Sequence, residues 1–166
     1  MRVFVTGATG WVGSAVVNEL LGAGHQVTGL ARSDEKAAAL ASTGAKVLRG
    51  TLDDLDALRN AASAADAVIH TAFNHDFSKF ADNAEQDRRA IETLGSALEG
   101  SDRLLLVTGG MSHLAHGRVS TEADVPTHVN RKQQRERWQS VVCAPRPCSS
   151  RRRSMALASG TVSFPS

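Results

Sequence analysis

The sequence predicts an α/β fold, a doubly wound parallel sheet of five or so strands with helices on both faces. Short apolar segments and helical segments alternate five times along the chain. This alternation is typical of parallel sheets, in which a helix forms the crossover between neighbouring strands. A turn with three glycines also follows the first apolar segment directly and precedes a helical segment. In sheets of this class, such a turn is the usual position of a ligand-binding loop.

The elements are justified in order by apolar runs and capping residues. Strands are predicted at residues 3–5, 26–31, 46–49, 67–70 and 104–107, and helices at 10–21, 34–42, 54–64 and 83–99. Ser33 predicts the start of the second helix, because its hydroxyl can cap the helix and Asp34 and Glu35 favour the positive end. Right-handed crossovers then give the strand order 3-2-1-4-5. The ligand crevice is expected where this order reverses, at the carboxyl ends of strands one and four.

The glycine-rich turn carries Gly7, Gly10 and Gly13, at a spacing of three and three. Glycine allows the backbone to turn tightly off the strand, to approach a pyrophosphate closely and to pack the next helix on the sheet. That helix points its free N–H groups and the positive end of its dipole at the phosphates. The turn therefore predicts a dinucleotide-binding site, and a glycine-rich turn without a ligand is the alternative.

The eight residues of this turn, Thr-Gly-Ala-Thr-Gly-Trp-Val-Gly, resemble those of the extended and atypical short-chain dehydrogenase/reductases, the NAD-dependent epimerase/dehydratase family. The resemblance covers roughly residues 1–125. It implies a Rossmann fold and a nicotinamide cofactor whose pyrophosphate is contacted by the backbone N–H groups of Trp11 and Val12. It also assigns Thr9 to the cofactor-binding turn.

The end of the second predicted strand bears on the choice of cofactor. An acidic residue there would accept hydrogen bonds from the adenosine ribose and favour NAD. The chain instead offers Arg32 and Ser33, which suit a 2′-phosphate through a charge-assisted contact of about 1.5–3 kcal/mol. We therefore expect NADP. Asp34 keeps NAD open, and a solvated surface arginine is the alternative interpretation of Arg32.

Two further segments match the family's cofactor contacts. The family usually carries an acidic residue after the third strand, near the adenine amine, but a threonine stands there in this chain, so Asp53 or backbone groups must serve. A small-residue segment after the fourth strand lines the nicotinamide ribose in the family. The matching residues are Leu52 and Asp53 after the third strand, and Thr71, Ala72 and Phe73 after the fourth. Ordinary loop residues are the alternative for each.

The family's catalytic residues are largely missing from this sequence. Family chemistry uses a tyrosine as general acid/base, a lysine four residues later and a serine or threonine after the fifth strand. The phenol, with an ordinary pKa near 10, must be brought toward neutrality to exchange a proton. The sequence contains no tyrosine. Thr108 and Ser112 are the nearest hydroxyls and become the candidate catalytic residues, whereas His70 is predicted to be packed in the core rather than to act as a base.

Composition divides the chain into a dinucleotide-binding domain, residues 1–126, and a basic, irregular tail, residues 127–166. Residues 1–130 hold 11 basic and 16 acidic side chains, a net charge of −5, whereas residues 131–166 hold 8 basic and one acidic, a net charge of +7. An Arg- and Ser-rich composition without periodicity is typical of a GC-rich gene read out of frame. With inferred codons, a shifted reading of residues 154–158 gives His-Gly-Val-Gly, which resembles a family segment. The tail is therefore interpreted as a frame-shift product, while a basic arm for nucleic acid and ordinary disorder stay open.

Length and composition also limit the class of protein. The length predicts one domain, and without a signal peptide or an apolar run near 18 residues we expect a soluble, cytoplasmic protein with no membrane contact. Cys143 and Cys148 are too few for a disulfide framework or a zinc site, so no metal is expected. The predicted function is that of an NAD(P)-binding oxidoreductase or epimerase/dehydratase acting on a small carbonyl or hydroxyl substrate. The alternative is a non-catalytic NADP sensor or an inactive truncated fragment. A nucleic acid partner is not expected, and a homodimer is left open.

Overall fold

The computed structural model describes residues 1–109, which form a five-stranded parallel sheet with four α-helices. In chain order the elements are β1 Arg2–Thr6, α1 Trp11–Gly22, β2 Gln26–Ala31, α2 Asp34–Ser42, β3 Lys46–Arg49, α3 Leu55–Ala64, β4 Ala67–His70, a 3-10 turn Phe77–Lys79, α4 Phe80–Leu98 and β5 Leu104–Val107. Every predicted strand is present. The helix α4 begins three residues earlier than predicted, because the 3-10 turn, capped by the Asp76 side chain, leads directly into it.

The sheet order is β3-β2-β1-β4-β5, and all four strand pairs are parallel. The predicted doubly wound topology is thus confirmed. Thr6 at the end of β1 is in register with His70 at the end of β4, and His70 is in register with Val107 of β5. The carboxyl ends of these three strands are therefore level, and the order reverses between β1 and β4, where a crevice is expected in such sheets.

The core consists of two apolar layers, one on each face of the sheet. Successive side chains of a strand point to opposite faces, so Val3 and Val5 of β1 belong to one cluster and Phe4 to the other. The first cluster includes Val17 of α1 and Leu40 of α2. The second cluster includes residues of α3 and α4. Helices therefore cover both faces, and β1 is buried between them.

The helix α4 packs through a stripe of buried side chains at helical spacing, which are Asn83, Asp87, Ala90, Ile91, Leu94 and Leu98. Two polar residues thus share the apolar face of this helix. In the described residues, β5 is one of the two edge strands of the sheet, and its Leu104 and Leu106 are 58% and 49% exposed. Among residues 1–109, no helix combines the length and the apolar character that crossing a membrane requires.

Several sequence-based expectations concern residues beyond 109. The proposed domain boundary at residue 126, the basic tail with its frame-shift interpretation and the candidate hydroxyl of Ser112 all lie outside the described residues.

Candidate functional site

The glycine turn after β1 packs directly against the segment that follows β4. Gly7 has a φ of +69°, and a Cβ atom there would lie 2.6 Å from the backbone N of Ala72. A Cβ on Gly13 would lie 2.0 Å from the carbonyl oxygen of Gly7. Gly10 is less constrained, since its Cβ would lie 3.2 Å from that same oxygen. Glycine is therefore required at positions 7 and 13 for the turn to pack closely against the ends of β1 and β4.

The first turn of α1 differs from that of α2. Within residues 1–109, no side chain caps α1 at Gly10, and its first turn holds no acidic residue. The helix α2 is capped by the Ser33 hydroxyl, which accepts from Lys36 N at 3.3 Å, and carries Asp34 and Glu35 in its first turn. The N–H groups and positive dipole end of α1 therefore have neither a capping side chain nor an acidic side chain of the helix's own first turn among these residues. This end of α1 fits a diphosphate group.

Thr71 forms the floor of the crevice between the carboxyl ends of β1 and β4, and it is hydrogen-bonded to the end of β1. Its hydroxyl donates to the Thr6 carbonyl at 2.8 Å, and its backbone N–H donates to the same oxygen at 3.2 Å. The Thr71 hydroxyl oxygen would also lie 2.9 Å from a Cβ atom on Gly13. The structure therefore brings Thr71 and Ala72, named from the sequence, against the glycine turn.

A buried polar chain runs beneath this floor. The Thr6 hydroxyl and His70 Nδ1 are hydrogen-bonded at 2.7 Å, and His70 Nε2 and Asp87 Oδ1 at 3.0 Å. The three side chains are at most 1% exposed. His70 is packed in the core, as the sequence suggested, but its two partners were missed. Asp87 could have been identified from the sequence, because it is an acidic residue at a position of α4 that otherwise belongs to the apolar stripe.

The candidate catalytic hydroxyl Thr108 lies beside this chain, at the carboxyl end of β5. Its backbone N–H donates to the His70 carbonyl at 3.0 Å, and its hydroxyl donates to the same oxygen at 3.3 Å. The His70 residue therefore joins Thr108 to the floor of the crevice through its backbone. Thr108 and Thr71 thus lie at the carboxyl ends of the neighbouring strands β5 and β4.

The opposite side of the crevice, beyond β2, carries two arginines. Arg32 is exposed at the end of β2. Arg49, at the end of β3, donates to the Ala31 carbonyl at 3.3 Å and pairs with Asp34 at 2.9 Å. Arg49 was missed from the sequence, although a cation ending the strand next to β2 is a readable signal. Ser33 caps α2, so its hydroxyl oxygen already accepts one hydrogen bond.

The residues after β3 are engaged within the protein. Leu52 is only 9% exposed and packs in the core. The Asp53 carboxylate accepts from Gln86 Nε2 at 2.5 Å and pairs with Arg89 at 3.4 Å, so it is directed toward α4. The pKa of Asp54 is lowered because the Thr51 backbone N–H and hydroxyl donate to its carboxylate, at 2.6 and 3.0 Å. The expected adenine contact by the Asp53 side chain would require it to leave these partners.

Phe73 is the first residue of a cluster of aromatic rings, whereas the resemblance to the family predicted a segment of small residues here. Its ring centroid lies 5.6 Å from that of His75 and 6.1 Å from that of Phe80, and the ring centroids of His75 and Phe77 lie 5.9 Å apart.

Within residues 1–109, no three His, Cys, Asp or Glu side chains are close enough to share a metal ion. A cavity of about 570 Å³ opens at the amino ends of the strands, lined by Arg2, Gln26 and Lys46 among others, away from the crevice.

Comparison with known proteins agrees with this geometry. A family model described as NAD(P)H-binding matches residues 7–137. An uncharacterized protein of Schizosaccharomyces pombe is 47% identical over 128 residues, covering 76% of this chain and 43% of that protein. A putative epimerase from Burkholderia cenocepacia superposes with a TM-score of 0.64 at 25% identity, over 84% of this chain and 50% of its own. The triphenylmethane reductase of Citrobacter sp., solved with NADP(H), superposes with a TM-score of 0.52 at 26% identity, over 64% and 37%.

The chain belongs to the NAD(P)H-binding family, and it is a Rossmann-type domain of the short-chain dehydrogenase/epimerase kind. A nicotinamide cofactor is its ligand class. The chain spans less than half the length of the yeast relative that it matches.

Proposed function

We propose that this member of the NAD(P)H-binding family is the cofactor-binding part of an NADP(H)-dependent oxidoreductase that acts on a carbonyl substrate. The observation that carries the proposal is the uncapped first turn of α1, set on a glycine turn that excludes side chains at Gly7 and Gly13. Backbone N–H groups so placed bind a diphosphate without competition from a carboxylate in the first turn of α1. The Citrobacter reductase, which is solved with NADP(H), is a structural neighbour that supports a reductase with this cofactor.

Two arginines support NADP over NAD. Arg32 and Arg49 end the neighbouring strands β2 and β3, where the adenosine ribose of a Rossmann cofactor lies. Arg49 already pairs with Asp34, so the carboxylate of Asp34 is partly neutralised by a cation. A 2′-phosphate would gain charge-assisted hydrogen bonds from both guanidinium groups, whereas a 2′-hydroxyl gains far less from them.

The bound cofactor would supply the hydride, and the residues of the chain would position the carbonyl. Thr71 and Thr108 carry hydroxyls at the proposed nicotinamide side, and that of Thr108 can donate a hydrogen bond to a carbonyl oxygen if it releases the His70 carbonyl. A threonine hydroxyl holds its proton at neutral pH, so it orients a substrate better than it exchanges a proton. Because the sequence has no tyrosine, we expect slow turnover of ketones and alcohols.

Titration calorimetry with NADP⁺ and NAD⁺ tests the proposal. The wild type should bind NADP⁺ more tightly, and Arg32→Asp should reduce the preference by about 10- to 100-fold, as expected for a charge-assisted contact. Arg49→Ala should reduce it less, because Arg49 is shared with Asp34. Arg59→Ala is the matched control, since Arg59 is an exposed arginine of α3 that pairs with Asp56. Equal affinities for both cofactors in the wild type would contradict the NADP assignment.

The absence of a tyrosine favours a second candidate, a sensor that binds NADP without reacting. Cofactor absorbance against a panel of ketones, alcohols and nucleotide sugars separates the two functions. Turnover that Thr108→Val abolishes supports the oxidoreductase, and tight NADP⁺ binding without any turnover supports the sensor.

A further inference from the structure

We infer that the ring cluster formed by Phe73, His75, Phe77 and Phe80 binds a flat aromatic substrate of the oxidoreductase proposed above. The inference rests on that proposed function and adds the substrate class. Phe77 is 69% exposed and Phe80 45% exposed. Exposed aromatic rings of this kind are the groups that proteins use to bind flat, apolar molecules through stacking and edge contacts.

The position of the cluster relates it to the crevice. Ala72, which directly precedes Phe73, is the residue whose backbone N would lie 2.6 Å from a Cβ on Gly7. The rings therefore begin one residue beyond the floor of the cofactor crevice, at the carboxyl end of β4. A substrate that exchanges hydride with a nicotinamide must contact it, so a surface adjoining the nicotinamide side of the crevice is where that substrate lies.

The backbone that carries the rings is held in place by hydrogen bonds. The Asn83 side chain, only 6% exposed, donates from Nδ2 to the Asp76 carbonyl at 2.6 Å. The Asp76 carboxylate accepts from the backbone N–H and the hydroxyl of Ser78, at 3.2 and 2.5 Å. The rings are thus exposed on a fixed segment, and a ligand would lose little free energy in ordering them.

The charges around the cluster disfavour an anionic substrate such as a nucleotide sugar. Lys79 shares its segment with two acidic residues, Asp76 and Asp82. A diphosphate would therefore meet a segment with more acidic than basic side chains, which repels it, whereas a neutral aromatic molecule would not be repelled.

The test measures binding of 9,10-phenanthrenequinone and of UDP-glucose to the full chain loaded with NADP⁺, by calorimetry. The quinone should bind and UDP-glucose should not. Phe77→Ser should weaken quinone binding about tenfold without changing NADP⁺ affinity. Phe77→Leu should weaken it nearly as much, whereas Phe77→Tyr should preserve it, because the ring rather than its apolar character provides the stacking. Leu104→Ser is the matched control, since Leu104 is similarly exposed at the amino end of β5.

Each contrary outcome is distinguishable. If NADP⁺ itself fails to bind before any probe is added, the proposed function fails and this inference fails with it. If NADP⁺ binds but the quinone binds equally to Phe77→Ser and Leu104→Ser, only the inference is overturned. Tighter binding of UDP-glucose than of the quinone would also overturn it. Sedimentation of the same variants tests whether the rings mediate self-association instead. If the wild type is a dimer that Phe77→Ser dissociates, and the quinone affinity is unchanged, the rings are a dimer interface and the inference is overturned.

Discussion

The strands β1 and β4 are joined at both ends by side chains that lie 64 residues apart in the sequence, and the two junctions differ in kind. At the amino ends, Arg2 donates to Asp66 through its guanidinium and its backbone N–H, at 2.6 and 2.7 Å, and the two side chains are 60% and 39% exposed. At the carboxyl ends, Thr6 and His70 are hydrogen-bonded within the core, and the chain continues to Asp87.

The junction at the amino ends only holds β1 and β4 together, whereas the junction at the carboxyl ends also shapes a ligand site. An exposed ion pair is screened by water and contributes little to stability. The buried hydrogen bonds cannot exchange with water, so their loss costs far more. The buried junction also lies directly below the turn and Thr71. We therefore expect substitutions at the carboxyl ends to affect both stability and cofactor affinity, and substitutions at the amino ends to affect stability alone.

The largest effect is expected at Gly13. In Gly13→Val the new Cβ would meet the Gly7 carbonyl oxygen at 2.0 Å, so the turn must move. We expect NADP⁺ affinity to fall at least about 100-fold and the free energy of unfolding to fall by about 3 kcal/mol. Gly10→Ala should show a smaller loss of affinity, since its Cβ would lie at 3.2 Å. Calorimetry and urea denaturation measure the two quantities.

Gly22→Ala is the control for this series, at the other end of α1. Apart from its chain neighbours and the backbone of its own helix, no described atom lies within 4 Å of a Cβ there. Cofactor affinity should stay unchanged, and the helix should gain about 0.5 kcal/mol. If Gly13→Val instead binds NADP⁺ like the wild type, the turn is not the diphosphate site.

A substantial effect is expected at His70. In His70→Leu the Thr6 hydroxyl and the Asp87 carboxylate both lose the imidazole in a site closed to water, which should lower the free energy of unfolding by about 3 kcal/mol. His70→Asn should recover part of this loss, since an amide can still reach Thr6. Urea denaturation should give a loss several times larger than that of Asp66→Asn. Similar losses in the two variants would remove the distinction between the junctions.

The smallest effect is expected at Asp66 and depends on pH. The Arg2 guanidinium, followed by the Arg2 backbone N–H, donates hydrogen bonds that lower the pKa of Asp66 to about 2. The unfolded chain has the ordinary aspartate pKa of about 3.9. Folding is therefore favoured by this group above about pH 4, and its contribution is lost as the pH falls from about 4 to 2.

Urea denaturation at pH 6 and at pH 3 tests this expectation. The wild type should be more stable than Asp66→Asn at pH 6, and the difference should shrink at pH 3. NADP⁺ affinity at pH 7 should be equal in the two proteins. A difference in stability that grows on acidification would show that the pair does not stabilise the folded state through the Asp66 charge.

The carboxyl-end site was predictable where its signal is local in sequence. Gly7, Gly10 and Gly13 lie within seven residues, and their spacing, together with the apolar segment before them and the helical segment after them, indicates the turn. The strand order followed from the alternation of strands and helices, because right-handed crossovers leave few topologies. Each prediction depends on a single local feature, the glycine turn in the first case and the handedness of the crossovers in the second.

The buried junction was not predictable in the same way. One of the two partners of His70 is Asp87, 17 residues later, and their contact depends on how α4 packs on the sheet. Periodicity identifies the apolar face of α4 but does not identify the atom that a carboxylate on that face will meet. Arg49 was missed for a similar reason, because its place beside Ala31 depends on the register of β2 and β3.

The open end of α1 also has a consequence for how the protein should be handled. With glycine at its N-cap, α1 has no side-chain cap, and this lowers helix stability by roughly a few tenths of a kcal/mol relative to a capping serine or aspartate. Any ligand that binds only the folded state raises stability by about 2.7 kcal/mol at a concentration 100 times its Kd. The midpoint of thermal unfolding should therefore rise with the concentration of added dinucleotide, and a library of nucleotides can be ranked by melting curves alone, without an enzymatic assay.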